Sequence, residues 1–182
     1  SNGKVLLDQN GAAPRYPASL TKMMTLFMLF EAMESGRVTT STPIPVSAAA
    51  ARMPPTKIGF RPGDAIDVES AINALCVKSA NDVASAVGEF LGGSEPAFAS
   101  LMTARARQLG MTATTFRNAS GLPDPDQRTT ARDMALLGLA LRQRFPQHFV
   151  YFSARQFTFR GRMVRGHNDL LGRVDGVDGI KT

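Results

Sequence analysis

The chain has 182 residues, of which 43% are hydrophobic and 20% charged, and 21 Lys and Arg against 15 Asp and Glu give a formal net charge of +6. These values are typical of one soluble globular domain with its own core, and they exclude a disordered chain or a fibrous repeat. The positive charge suits an anionic partner. Because no aromatic stacking motif accompanies it, we interpret the charge as a solvated surface, and nucleic-acid binding is disfavoured.

The arginines are spread over residues 105–173, and Arg160, Arg162 and Arg165 come nearest to a cluster. The one cysteine, Cys76, excludes an internal disulfide but leaves the cellular compartment open. The longest apolar run, residues 23–30, is far too short to cross a bilayer. The chain opens inside a strand-like segment, which suggests that the natural amino terminus precedes it.

The first elements are a strand and a long helix. Residues 4–8 (KVLLD) predict a short strand that ends at the Asn10-Gly11 turn signal. From Ser19 to about Ser35 Gly and Pro are absent, and Gly36 is placed to end a helix. Apolar residues occupy nearly every side of this helix, so we expect it at the centre of the core.

Helices also dominate the middle of the chain. Residues 37–66 are rich in Thr, Pro and Ala and predict irregular structure with short strands. Asp67 can cap a helix that runs to about Lys78, and a second helix is predicted from Asn81 to Gly92-Gly93. Ser94 then caps a third, whose further signals are Pro96 in its first turn and Gly110 at its end.

The last third returns to strands. Residues 116–126 read as a loop, after which Thr130 and Asp133 resemble a capping box for a helix that ends before Pro146. Residues 156–164 predict a hairpin, and residues 176–182 (GVDGIKT) a loop leading into a strand. With strands at both ends and helices between, the pattern predicts an α+β fold in which a helical cluster packs on a sheet built from the terminal strands.

Ser19 and Lys22 stand three positions apart on the opening turn of the first helix, so their side chains share one face. An amine can take a proton from a hydroxyl only when it is neutral, and burial or a nearby cation lowers a lysine pKa enough for this. The unpaired N–H groups of the helix start could also stabilise an oxyanion. The structural alternative makes Ser19 a helix cap and lets Lys22 extend outward.

Two further short motifs accompany this pair. Ser79 and Asn81 fall in the predicted turn between two helices, where they can equally act as helix caps. Lys181 and Thr182 are the last two residues, and the alternative for them is an ordinary strand end. S-x-x-K, a Ser/Asn motif and K-T in this order match the known signature of class A β-lactamases and penicillin-binding proteins.

Longer blocks extend the match. The chain resembles the low-molecular-mass D-alanyl-D-alanine carboxypeptidases of the S11 peptidase family, through PASLTKMMT, ALCVKSANDVA, FRNASGLPD and GVDGIKT in the family's order. The resemblance covers essentially residues 1–182, and it implies one transpeptidase-like catalytic domain, here incomplete. It also implies an antiparallel sheet truncated at both ends, and activity at the periplasmic face of a bacterial inner membrane.

The resemblance implies a role for each motif residue. Ser19 would be the acylated nucleophile, Lys22 its general base, and Ser79 the donor of a proton to the leaving D-alanine. Asn81 would hold Lys22 and the substrate amide. Lys181 and Thr182 would bind the substrate carboxylate. The implied substrate is the peptidoglycan pentapeptide, β-lactams would trap the acyl-enzyme, and no metal or cofactor is required.

The sequence also departs from the family pattern. The glycine that completes K-T-G would follow Thr182, one oxyanion N–H comes from just beyond it, and losing such a donor typically costs about a hundredfold to a thousandfold in rate. The later strands and a membrane-associating amphipathic region are absent as well. We therefore expect either a complementing chain that supplies strands or a larger parent molecule, because unpaired edges favour aggregation.

Three alternative functions remain open: a peptidoglycan endopeptidase, a β-lactamase, and a catalytically silent peptidoglycan-binding or penicillin-binding module. Neither Glu89 nor Glu95 is placed to activate water as the extra glutamate of class A β-lactamases does. His148 and His167 are the two histidines, and "GHND" brings Asp169 close to His167. They lack metal-ligand spacing, so structural or exposed roles are favoured over a zinc site.

Overall fold

The computed structural model describes residues 4–181. A single 3-10 turn at Ala18–Leu20 leads directly into helix α1, Thr21–Glu34. This confirms the predicted first helix, and α1 is buried on nearly every side, so it is the central element of the core. Gly36 follows α1 at φ +72°, a left-handed conformation that glycine adopts without a Cβ penalty.

Two short strands and a one-turn helix follow α1. Strands β1, Pro43–Pro45, and β2, Ala65–Asp67, pair antiparallel with Ile44 opposite Ile66. Both isoleucines are buried, so the pair adds its apolar side to the core. Between the strands lies α2, Ala48–Ala51, a one-turn helix capped by Ser47 that the sequence did not predict.

The two predicted helices of the middle region are confirmed. Helix α3, Val68–Asn73, is capped by Asp67 and continues as a π-helical turn, Ala74–Lys78. Helix α4 is Asn81–Gly92, and the left-handed Gly93 ends it. π-Turns leave the regular backbone ladder and are frequent at functional sites.

Helix α5, Glu95–Gln108, begins at the predicted cap Ser94, and helix α6, Ala131–Arg144, begins at Thr130. The capping box at α6 forms only in part. Thr130 Oγ1 accepts from Asp133 N, but the Asp133 carboxylate accepts from Thr114 Oγ1 at 2.6 Å and from Ala113 N. A tertiary contact thus replaces the local one.

A 3-10 helix at Pro146–Ser153, which the sequence did not predict, follows α6. The predicted hairpin is confirmed as β3, Gln156–Phe159, and β4, Arg162–Arg165, paired antiparallel. Gly161 in the turn has φ +74°, which explains a glycine at this position.

The predictions of terminal strands are wrong for the described residues. Residues 4–8 form no strand, and Leu6 and Leu7 are 90% and 84% exposed. Residues 177–181 are irregular, and Thr182 lies outside the described residues. A strand needs a ladder partner, and residues 4–181 supply none for either segment. The helical cluster therefore carries two small antiparallel sheets, β1–β2 and β3–β4, and no sheet built from the chain ends.

The core lies where α1, α4 and α5 meet. α4 and α5 approach so closely at Gly92 that a Cβ at this position would overlap Phe98. Phe27 and Phe30 of α1 pack edge-on or tilted against Phe145. Burying each such side chain contributes on the order of 2 kcal/mol. No helix within residues 4–181 combines the length and apolar character needed to cross a membrane.

Candidate active site

Lys22 lies on the first turn of α1 and is completely buried. This excludes the alternative in which its amine extends into solvent. Ser19 lies one turn earlier, on the 3-10 turn, and is half-buried. Neither this turn nor α1 has a side-chain cap, so Ser19 is not a helix cap. The Ser19 hydroxyl makes no hydrogen bond to another described residue.

Two neutral oxygens hold the amine of Lys22. Its Nζ donates to Asn81 Oδ1 at 2.8 Å and to the backbone oxygen of Ser120 at 2.6 Å. A neutral amine has two protons and one lone pair, whereas an ammonium has three protons and no acceptor. The two bonds use both protons of a neutral amine. Its lone pair is then free to accept a proton from a hydroxyl.

The electrostatic environment favours that neutral form. Burial, and after it the charge of Lys181, lower the pKa of Lys22 from 10.5 to about 7. Neither of these two acceptors is a carboxylate that would stabilise the ammonium. The lowered pKa predicted from the sequence is confirmed, and its largest cause is desolvation.

Ser79 occupies the turn between the π-helical segment and α4. Its backbone is left-handed, with φ 59° and ψ 39°, which is uncommon for a residue with a Cβ. Its side chain is buried, and its Oγ has no hydrogen-bond partner among residues 4–181. A strained backbone and an unpaired buried hydroxyl both carry a cost in stability, and such features concentrate at functional sites.

Asn81 is oriented by two partners. Oδ1 accepts from Lys22, while Nδ2 donates to Pro54 O at 3.1 Å. The backbone N of Asn81 also donates to Thr56 O at 2.7 Å, and Thr56 Oγ1 donates to Ser79 O at 2.9 Å. Asn81 therefore serves the amine and not a helix end, because the α4 cap, Ala80, has no side-chain bond.

Asp82 also holds the segment 54–59 against this turn. It is fully buried, and its carboxylate accepts from the backbone N–H groups of Ile58 and Gly59 at 3.1 and 2.8 Å. Hydrogen bonds to charged groups are stronger than neutral ones. The segment 54–59 is thus fixed against the turn that carries Ser79 and Asn81.

The loop at residues 118–121 supplies the second acceptor for Lys22. Asn118 Oδ1 accepts from the backbone N–H groups of Ser120 and Gly121. Ala119 is held at both ends, because its O accepts from Thr25 Oγ1 and its N donates to Glu95. Glu95 therefore serves this loop. These bonds aim the Ser120 carbonyl at the amine.

Gly121 brings this loop against the turn of Ser19. Its φ is +88°, and a Cβ at this position would overlap the carbonyl oxygen of Ala18. Ala18 itself has a left-handed φ of 47°. The glycine thus allows the loop to touch the residue before the proposed nucleophile.

Lys181 approaches the site from the end of the chain. Burial lowers its pKa from 10.5 to about 8. Its charge acts on Lys22 and on the fully buried Cys76, whose pKa burial raises to about 12. Cys76 is therefore a protonated core thiol at neutral pH. Thr182, the second predicted carboxylate-binding residue, lies outside the described residues.

The structure brings Lys22, Asn81 and the charge of Lys181 together and places Ser79 in the adjoining turn. The sequence missed the Ser120 carbonyl, the Asp82 carboxylate and the segment 54–59. The block FRNASGLPD, which contains Ser120, resembles the family, but a backbone oxygen leaves no side-chain signature. An acidic residue directly after Asn81, Asp82, is the one sequence feature that could have indicated a further contact at this turn.

The histidines take no part in the hydrogen bonds described above. His148 stacks on Phe30 with ring centroids 4.6 Å apart, and burial lowers its pKa. His167 is exposed. Residues 4–181 contain no group of three or more His, Cys, Asp or Glu that could hold a metal ion.

The fold is that of penicillin-binding proteins, which confirms the predicted α+β class. The chain superposes on penicillin-binding protein 5 of Haemophilus influenzae with a TM-score of 0.93 at 31% identity, covering 99% of this chain and 54% of that one. Penicillin-binding protein D2 of Listeria monocytogenes, in its ampicillin-bound form, gives 0.88 at 31% identity, covering 100% and 74%.

The chain belongs to the Peptidase S11 family, D-alanyl-D-alanine carboxypeptidase, whose model matches residues 1–182. The carboxypeptidase DacC of Escherichia coli K12 is 35% identical over 189 residues, covering all of this chain and 47% of DacC. DacF of Bacillus subtilis 168 is 32% identical, covering 99% of this chain and 47% of DacF. The chain spans about half the length of these curated relatives.

Proposed function

We propose that the protein carrying this chain is a serine-type D-Ala-D-Ala carboxypeptidase, and that residues 1–182 are part of its single transpeptidase-like catalytic domain. Its substrate is the pentapeptide stem of peptidoglycan, met in the periplasm or cell envelope. The single observation that carries the proposal is the fully buried amine of Lys22, whose two protons are bound by Asn81 and Ser120 and whose pKa is about 7.

Acylation begins when Ser19 Oγ attacks the carbonyl of the penultimate D-alanine and its proton passes to the lone pair of Lys22. The leaving amine of the terminal D-alanine takes a proton through Ser79, whose buried Oγ has no other partner in the described part of the chain. The C–N bond breaks and an ester to Ser19 remains. Water then hydrolyses this ester, with Lys22 again accepting a proton.

Lys181 and Thr182 receive the terminal carboxylate of the substrate. The charge of Lys181 also adds to burial, the larger cause, in lowering the pKa of Lys22. The same geometry accepts β-lactams, which acylate Ser19. Two forms of the Listeria neighbour, one with ampicillin and one with cefotaxime, support this part of the proposal.

The test is labelling of the full-length protein by fluorescent penicillin, together with release of D-alanine from a pentapeptide. Ser19→Ala is expected to abolish the label and to lower the rate of D-alanine release by up to about 10⁶-fold. Ser153→Ala, an exposed serine elsewhere, is the matched control and keeps both activities. Label that persists in Ser19→Ala identifies a different nucleophile. Fast penicillin hydrolysis without D-alanine release identifies a β-lactamase instead.

A further inference from the structure

A cleft of about 530 Å³ opens between the hairpin β3–β4, residues 57–58 and the end of the π-helical turn. Its lining contains four permanent cations and no Asp or Glu. The cations are Lys57, Lys78, Arg162 and Arg165. Its apolar lining comes from Ile58, Phe159, Met163 and Val164. Four like charges in one recess are unusual, since mixed charges are the rule on soluble surfaces.

These cations are not neutralised elsewhere in the described part of the chain. None of the four belongs to an ion pair with a carboxylate among residues 4–181. Their neighbour Arg160 differs, because it pairs with Asp64 at 3.1 Å. Of the arginine cluster seen in the sequence, Arg162 and Arg165 therefore line the cleft without a carboxylate partner among residues 4–181.

The cleft adjoins the proposed catalytic site. Lys78 on its wall directly precedes Ser79. Gly166, directly after strand β4, packs against the π-helical turn, where a Cβ on this glycine would lie 3.3 Å from Val77 O. Lys57 on the opposite wall donates to Ala51 O at 3.4 Å and belongs to the segment that Asn81 and Asp82 hold. The cleft therefore lies beside the turn that carries Ser79.

We propose that this cleft is an anion subsite that binds carboxylate groups of the substrate peptide upstream of the scissile bond. The inference rests on the proposed function and adds to it a preference for anionic acyl chains. A concave recess with an apolar lining fits an extended peptide bearing carboxylates, whereas an anionic membrane surface is contacted by a flat or convex face. Each cation attracts the carboxylates through water, so each contributes modestly and the effect weakens with salt.

The experiment compares kcat/KM of the full-length protein for acyl-D-Ala-D-Ala substrates whose acyl chains carry zero, one or two carboxylates. The wild-type protein is expected to prefer the anionic chains, and Lys78→Gln/Arg162→Gln to reduce that preference by about fivefold for each cation removed. The neutral substrate and penicillin labelling are expected to stay unchanged. Arg37→Gln, an exposed arginine outside the cleft, is the matched control.

An equal loss on neutral and anionic substrates would overturn the inference, and so would a preference that survives in the variant. Loss of binding to vesicles containing anionic phospholipid, with the substrate preference intact, would also overturn it and assign the cleft to a lipid surface. Failure of the proposed function has a different signature, because then the wild-type protein releases D-alanine from none of the substrates.

Discussion

The pocket around Lys22 and the final segment around Lys181 show two ways to lower the pKa of a lysine. Lys22 is fully buried among helices and donates hydrogen bonds to two neutral oxygens. Lys181 follows a stretch of turns and irregular backbone over residues 166–181, and it keeps partial exposure. Burial lowers both pKa values, to about 7 and about 8.

The difference lies in what fixes each amine. A helix, two hydrogen-bonded loops and the buried core hold Lys22, so its position is over-determined. Lys181 depends on the path of a segment without regular structure. We therefore expect changes at the first lysine to alter chemistry and stability strongly. Changes at the second are expected to alter substrate binding and, to a smaller extent, the pKa of the first.

The largest effect is expected from removing the buried amine. Lys22→Met keeps a similar apolar length but removes the proton acceptor. The acylation rate of the full-length protein is expected to fall by about a hundredfold to ten-thousandfold. Stopped-flow acylation by a chromogenic penicillin measures it, and Lys4→Met, an exposed lysine, is the matched control. Wild-type acylation rates in the variant would remove Lys22 from the mechanism.

The same variant tests the buried state of the amine independently of activity. Lys22 is protonated in the unfolded chain up to its usual pKa of 10.5, but in the folded chain only below about 7. The unfolded state therefore binds more protons between these values. The free energy of unfolding should rise with pH across this window, by up to about 1.4 kcal/mol per pH unit, and Lys22→Met should lose that slope. Identical slopes would show an exposed, charged amine.

The next largest effect is a loss in the free energy of unfolding when a methyl group is added to a glycine. Two glycines with a similar positive φ, one in close contact and one in open space, separate the steric cost from the cost of backbone strain. Gly121→Ala places a methyl group on the carbonyl of Ala18 at φ +88°. We expect a loss of about 3 kcal/mol or more in the free energy of unfolding, measured by urea denaturation. Gly110→Ala, at φ +83° with open space around it, should lose only about 1 kcal/mol. Equal losses would mean that the loop and the turn of Ser19 do not touch.

The smallest effect links the two regions. In wild type the acylation rate should rise with pH through about 7, as Lys22 loses its proton. Lys181→Gln removes a cation that disfavours a second cation, so the pKa of Lys22 should increase and this rising limb should move to higher pH. Arg173→Gln, an exposed cation of the same segment, is the control. A limb that stays in place in Lys181→Gln would uncouple the two amines.

The helices were predictable because their signals are local. Asp67, Ser94 and Thr130 each accept a backbone N–H at the start of a helix, as the sequence predicted. The glycine turn of the hairpin β3–β4 was also predictable from the sequence. The order of the Ser/Lys and Ser/Asn motifs indicated the family before any contact was known.

Tertiary structure decided the rest. The Ser120 carbonyl and the segment 54–59 reach Lys22 and Asn81 through contacts between residues 25 to 98 positions apart along the chain. No local sequence pattern can indicate contacts over such separations. Residues 4–8 carry a strand pattern but form no strand, because pairing depends on a partner and not on propensity alone. The sequence by itself determined which residues carry the chemistry and where the helices start. Only burial by distant segments determined the pKa of Lys22, because desolvation is a property of the whole surrounding volume.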